Sequence, residues 1–173
     1  MHIVEVVCNA ENERNFTKKR LELAKREVSV DIEYLFHGTS SRDDFYNLIN
    51  KNFDRERIGT RQDLGYHGLG FYFSRSAEVA RRMGGHYLVM CLVLLGNKKY
   101  ISKRERSRLG KKLGKGIDSL IYKDGEEVVV CDANQILISY ALYTGERDIP
   151  GGYCVLPERH HATNRELRLG KRK

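Results

Sequence analysis

The run YLVMCLVLL at 87–95 is apolar on both of its alternating sets of side chains over nine residues. A strand of that kind needs cover on both faces, so it reads as the centre of a sheet with a packed layer on each side. It is also about half the length that a membrane-spanning helix requires. No transmembrane helix is expected, and the opening Met-His-Ile-Val-Glu lacks the basic and then apolar segments of a secretory signal. With 173 residues, 40% of them hydrophobic, and only 2 prolines, the chain suits one domain around one core and excludes disordered, collagen-like and coiled-coil classes.

Further strands are expected at 3–8 (IVEVVC), 34–37 (YLFH), 70–73 (GFYF), 117–122 (IDSLIY), 127–131 (EVVVC) and 136–143 (ILISYALY). Helices are expected at three places. One runs from about Asn12 to Arg26 with Phe16, Leu23 and Ala24 on its inner face. The second follows a Ser40 or Ser41 cap with Phe45, Leu48 and Ile49 inward. The third follows Ser74 or Ser76 with Ala77, Ala80 and Met83 inward. Residues 52–67 read as a long loop, and 123–125 (Lys-Asp-Gly) as a turn. The fold class is α+β, with a domain over 1–145 and a partly disordered extension over 146–173.

Residues 98–115 hold nine basic residues and one acidic residue, a net of +8 that equals the excess of the whole chain. This basic loop is suited to nucleic acid or another polyanion, although no run of stacking aromatics accompanies it. Cys8, Cys91, Cys131 and Cys154 form no Cys-x-x-Cys pair, and buried free thiols in a reducing compartment are the favoured reading. Cys154, His160 and His161 match no usual metal-ligand spacing, so no metal is expected.

Common hydrolase and phosphate-loop motifs are missing, and GYHGLG at 65–70 precedes a strand rather than opening a helix, which rejects the dinucleotide fingerprint. What remains is three segments with polar groups at strand ends: LFHGTS (35–40), GLGFYFS (68–74) and EEVVVCDANQ (126–135). On an extended strand, Glu127, Val129 and Cys131 face one way while Glu126, Val128 and Val130 face the other, so one of the two glutamates can enter a cleft.

In this order the three segments resemble the catalytic domain of the poly(ADP-ribose) polymerase family, the diphtheria-toxin-like ADP-ribosyltransferases that bind NAD+ through a His, a Tyr and a Glu. Leu35-Phe36-His37-Gly38-Thr39 resembles the first family segment, Gly68-Leu69-Gly70-Phe71-Tyr72-Phe73 the second, and Glu127, Asp132 and Gln135 the third. Similarity extends to 6–23, 92–100 and Gly116-Ile117-Asp118-Ser119, and spans roughly 3–143. It implies the ADP-ribosyltransferase fold, with curved, antiparallel-rich sheets and flanking helices around an NAD+ cleft.

The resemblance also implies roles. His37 would bond the adenine-side ribose hydroxyl, the Gly38 backbone would reach the nicotinamide carboxamide, and Tyr72 would stack on the nicotinamide ring. Glu127 would grip the nicotinamide-side ribose 2′-hydroxyl and stabilise the cationic transition state. Thr39, Gly70, Phe71 and Ser76 complete the expected NAD+ contacts. The chain departs from the family where a Ser and a second aromatic often follow the Tyr: an ungapped count places Ala80 and Met83 there, a gapped one Ser76 and Val79. Leu69 stands where the family often has Lys.

The expected activity is therefore NAD+-dependent ADP-ribosyl transfer to a protein acceptor, with nucleic acid a second acceptor class through 98–115. Only 29 residues separate Asn97 from Glu127, which favours mono- or short-chain transfer over long polymer. Two other readings are an inactive NAD+ or ADP-ribose-binding scaffold and an NAD+-dependent RNA 2′-phosphotransferase. The expected compartment is intracellular, nuclear or cytoplasmic, without membrane contact.

Overall fold

A computed structural model of the chain describes residues 3–54, 70–102, 105, 114–122 and 125–143. In chain order the elements are β1 (Ile3–Val6), α1 (Ala10–Lys25), β2 (Ile32–Thr39), α2 (Arg42–Lys51), β3 (Phe71–Ser74), α3 (Ala77–Gly84), β4 (Tyr87–Leu94), β5 (Lys98–Ile101), β6 (Ser119–Tyr122), β7 (Glu127–Val130) and β8 (Ile136–Tyr143). A 3-10 turn, Ala133–Gln135, leads into β8. The strands form one eight-stranded sheet in the order β1-β8-β4-β2-β3-β7-β6-β5. Its ladders are antiparallel except for β5 with β6. The α+β class holds.

Each helix starts where the local chemistry satisfies its first amides. Asn9 opens α1, its side-chain oxygen accepting from the Glu11 and Asn12 amides at 3.2 and 3.1 Å. Ser41 caps α2 by accepting from the Asp44 amide, and Ser76 caps α3 by accepting from Val79. The apolar run of β4 is covered on both faces as expected, with Val89, Cys91 and Val93 buried on one and Leu88 and Leu94 on the other.

The sheet is not continuous in its pairing. β2 and β4 pair from Ile32↔Leu94 to Thr39↔Tyr87, and β3 and β7 pair along all of β3, but β2 and β3 share the single registered pair Phe36↔Ser74. The sheet is thus two half-sheets, β1-β8-β4-β2 and β3-β7-β6-β5, meeting at a split between β2 and β3. One core cluster gathers Leu35, Val89, Cys91 and Val93 from the first half with Phe71, Phe73, Ile121, Val128 and Val130 from the second. The inner faces of both halves thus contribute to one core. Helix α2 adds Phe45, Leu48 and Ile49 to this interior, while α1 packs Phe16 and Leu23 with Leu92, Leu94 and Leu137 on the outer face of the first half.

Several expectations are corrected. Ala24 and Met83 are exposed rather than inward. Cys8 is exposed, beyond the end of β1, while Cys91 is buried and Cys131 intermediate; all three are free thiols. The first residues of the basic run are a strand, β5, rather than loop. The rest of that run apart from residues 102, 105, 114 and 115 lies outside the described residues. So do residues 55–67 of the long loop, Lys123 and Asp124 of the turn, and the extension with Cys154, His160 and His161. Among the described residues no helix is long and apolar enough to cross a membrane.

Candidate functional site

The three residues singled out by sequence fall on the three adjacent strands β2, β3 and β7, at the split. In the β3–β7 ladder Tyr72 pairs with Val129 and Ser74 with Glu127. Side chains two positions apart along a strand share a face, so Tyr72 and Glu127 stand on one face as diagonal neighbours across the two strands. This is the outer face: Tyr72 packs with Ile101, Leu120 and Val129, whereas Val128 and Val130 point into the interior. Glu127 is half-buried there and Glu126 is exposed. The alternation expected from the sequence therefore holds.

His37 reaches the split from the other side. Its ring lies edge-on to Phe53, centroids 5.0 Å apart, and 5.8 Å from Phe73, both members of the interior cluster. Its Nδ1 is 2.8 Å from the Tyr72 carbonyl oxygen. Because a carbonyl only accepts, Nδ1 carries the proton and donates, which leaves the Nε2 lone pair as an acceptor in the neutral ring. Burial pushes the imidazole below its ordinary pKa of 6.5, an effect the Tyr72 carbonyl opposes. The structure thus joins His37 to Tyr72 through the backbone of β3, and joins Tyr72 to Glu127 by side-chain face. It does not place all three side chains on one face.

The remaining expected contacts sort differently. A Cβ on Gly38 would run into the Ala80 carbonyl oxygen, so here the glycine is required by the close approach of α3 to β2. Gly70 is likewise pressed against β7, where a Cβ would meet the Val130 carbonyl oxygen at 2.8 Å. Phe71 is 7% exposed and belongs to the interior, so its side chain faces no cleft. The Thr39 hydroxyl oxygen accepts from the Ser41 amide at 3.2 Å, and the Ser76 hydroxyl serves as the α3 cap. At the positions of the second aromatic clamp, Ala80 is buried under Gly38 and Met83 is 62% exposed. Gly68 and Leu69 lie outside the described residues.

Asp132 and Gln135, which belong with Glu127 to the third resembling segment, are structural. Asp132 accepts from the Asn134 amide at 3.0 Å and pairs with Lys19 of α1 at 3.0 Å. Gln135 is buried and donates to the carbonyls of Leu94 and Asp118 at 2.7 and 3.3 Å, stitching β4 to the start of β6.

Sequence reasoning missed the charged group beside the site. Arg75, the residue after β3, donates to Glu33 of β2 through Nη2 at 2.7 Å and Nε at 3.1 Å, and through Nη1 to the Gly125 carbonyl. Its own amide donates to the Glu126 carbonyl at 3.2 Å. Glu33 and Arg75 are 42 positions apart in the chain, and nothing in either local pattern signals the pairing. Among the described residues no group of three His, Cys, Asp or Glu side chains gathers as a metal centre would. Compared with known proteins, the chain matches no family model and no curated sequence.

Proposed function

We propose that the chain is an NAD+-consuming ADP-ribosyltransferase of the poly(ADP-ribose) polymerase type, with the corresponding fold. The observation that carries this reading is the juxtaposition of Tyr72 and Glu127 on one face of neighbouring strands at a split in the sheet. An aromatic ring and a carboxylate so placed suit a flat cationic ring and the sugar attached to it. In this reading the nicotinamide lies against Tyr72 on the outer face, while the neutral His37 holds the Tyr72 backbone from the interior face through Nδ1. Glu127 holds the 2′-hydroxyl next to the carbon where positive charge develops. The bond from nicotinamide nitrogen to ribose C1′ breaks with its electron pair on the nicotinamide, which leaves uncharged. An acceptor oxygen or nitrogen then bonds to C1′ and gives up its proton to solvent. The short connection before β7 favours a single or short-chain product.

Incubation with adenylate-labelled NAD+ tests the reading. The expected result is covalent label on protein together with free nicotinamide. NAD+ binding by calorimetry without nicotinamide release would replace the enzyme with a binding scaffold, and neither binding nor release would overturn the reading altogether. Long-polymer ladders on a sequencing gel would refute short-chain transfer.

A further inference from the structure

Among the described residues, the half-sheets are joined along the β2–β3 seam by the registered pair Phe36↔Ser74, by the His37 to Tyr72 carbonyl bond and by the Arg75 group, while away from that seam Gln135 ties Leu94 to Asp118. The first two lie on consecutive residues of β2, at Phe36 and His37. The third engages β2 four residues earlier than His37, at Glu33. On the second half-sheet Arg75 follows Ser74, the partner of Glu127, and it holds both residues that immediately precede Glu127 through the carbonyls of Gly125 and Glu126. Lys98 at the start of β5 also approaches Glu33, at 3.9 Å. One half-buried carboxylate on the first half-sheet thus gathers two cations from the second.

We propose that Arg75, anchored by Glu33, is a positioning residue that fixes the separation of the half-sheets at the entry to β7 and so sets where the Glu127 carboxylate stands. An arginine suits this task because its planar fork can donate to the carboxylate and the carbonyl at once, which a lysine ammonium does with less geometric control. The part played by Glu127 rests on the transferase reading above; the clamp itself does not.

Two measurements separate them. Backbone hydrogen exchange in Arg75→Gln and Glu33→Gln should quicken over β3 and the start of β7 while β4 and β8 keep their protection. Unchanged exchange in β3 and β7 would overturn the clamp whether or not the protein turns over NAD+. Under steady-state conditions both variants should lose roughly 10- to 100-fold in kcat, the scale of a displaced catalytic group. The KM for NAD+ should change by less than about twofold. Arg75→Lys should recover part of the loss, and the double variant should be no worse than either single one, because both remove the same link. Quickened exchange with wild-type kcat would overturn the positioning role, as would additive losses in the double variant. A wild-type protein inert toward NAD+ would remove the transferase reading and with it the role toward Glu127, and the exchange result would still decide the clamp.

Discussion

At the scale of single residues, Glu126 and Glu127 are chemically identical neighbours that the strand sends to different environments, one exposed and one half-buried beside Tyr72 on the outer face. Replacing each by the isosteric amide separates charge from shape. Glu127→Gln should lower NAD+-dependent transfer by roughly 10²-fold or more, the usual scale for removing one charge-stabilising group, and Glu126→Gln should leave it nearly unchanged. Rates measured by nicotinamide release check this, and a dead Glu126 variant would overturn the assigned register. His37 yields a second expectation. Burial holds its native pKa below 6.5, whereas in the unfolded chain the ring takes up a proton near that ordinary value. Below about pH 6.5 the unfolded state therefore binds the extra proton, and stability falls as pH drops through the window between 6.5 and the lowered native pKa. Above it both states are neutral and the contribution stays constant. Melting temperature should fall from about pH 7.5 to about pH 5.5, and the fall should be smaller in His37→Gln.

At the scale of elements, α3 approaches β2 so closely that neither Gly38 nor Gly84 has room for a side chain: a Cβ on Gly38 would strike the Ala80 carbonyl, and one on Gly84 the Gly38 carbonyl. Gly38→Ala should cost on the order of 1–3 kcal/mol, the range for overpacking against groups that cannot yield, read as a lower denaturation midpoint. The clash is with backbone on both sides, so a compensating side-chain substitution should not rescue it. The resemblance singles out Gly38 for an NAD+ contact, while nothing in HGTS announces a helix crossing over it. Periodicity and apolar runs made β4, β7, β8 and the capped starts of α2 and α3 readable, because those signals lie within a few residues. β5 was not readable: Lys98, Lys99 and Tyr100 give it the look of a charged loop, and its strand character comes from parallel pairing with β6, about twenty residues away. For the candidate site, the alternation on β7 showed which glutamate shares the face of Tyr72. The split, the interior approach of His37 and the Glu33–Arg75 pair depend on how distant segments meet and leave no local trace.

At the scale of the whole molecule, the corner where β4 passes to β5 is tied to α1 by Arg26. Its guanidinium donates to both oxygens of the largely buried Asp118 at 2.8 and 3.0 Å, and the Asn97 amide donates to the same carboxylate at 2.8 Å. Removing Arg26 leaves that carboxylate with less than its complement of donors. Breaking a fully buried pair costs about 3–5 kcal/mol. Because Arg26 is 36% exposed, solvent reduces the expected loss for Arg26→Ala to roughly 1–2 kcal/mol, measurable by denaturant unfolding. Asp118→Asn should cost less, since the amide keeps one acceptor oxygen. The order of strands has a consequence for how the protein is made. β3, β5, β6 and β7 all fall within residues 71–130, so the second half-sheet can assemble from a contiguous stretch as it leaves the ribosome. The first half-sheet cannot: β8, the last of the described strands, sits between β1, the first of them, and β4. Until residue 143 has emerged, β1 lacks its partner among the described strands and β4 has one unpaired edge, so the nascent chain carries open strand edges until β8 is made. That is the stage at which pairing with another chain competes with folding.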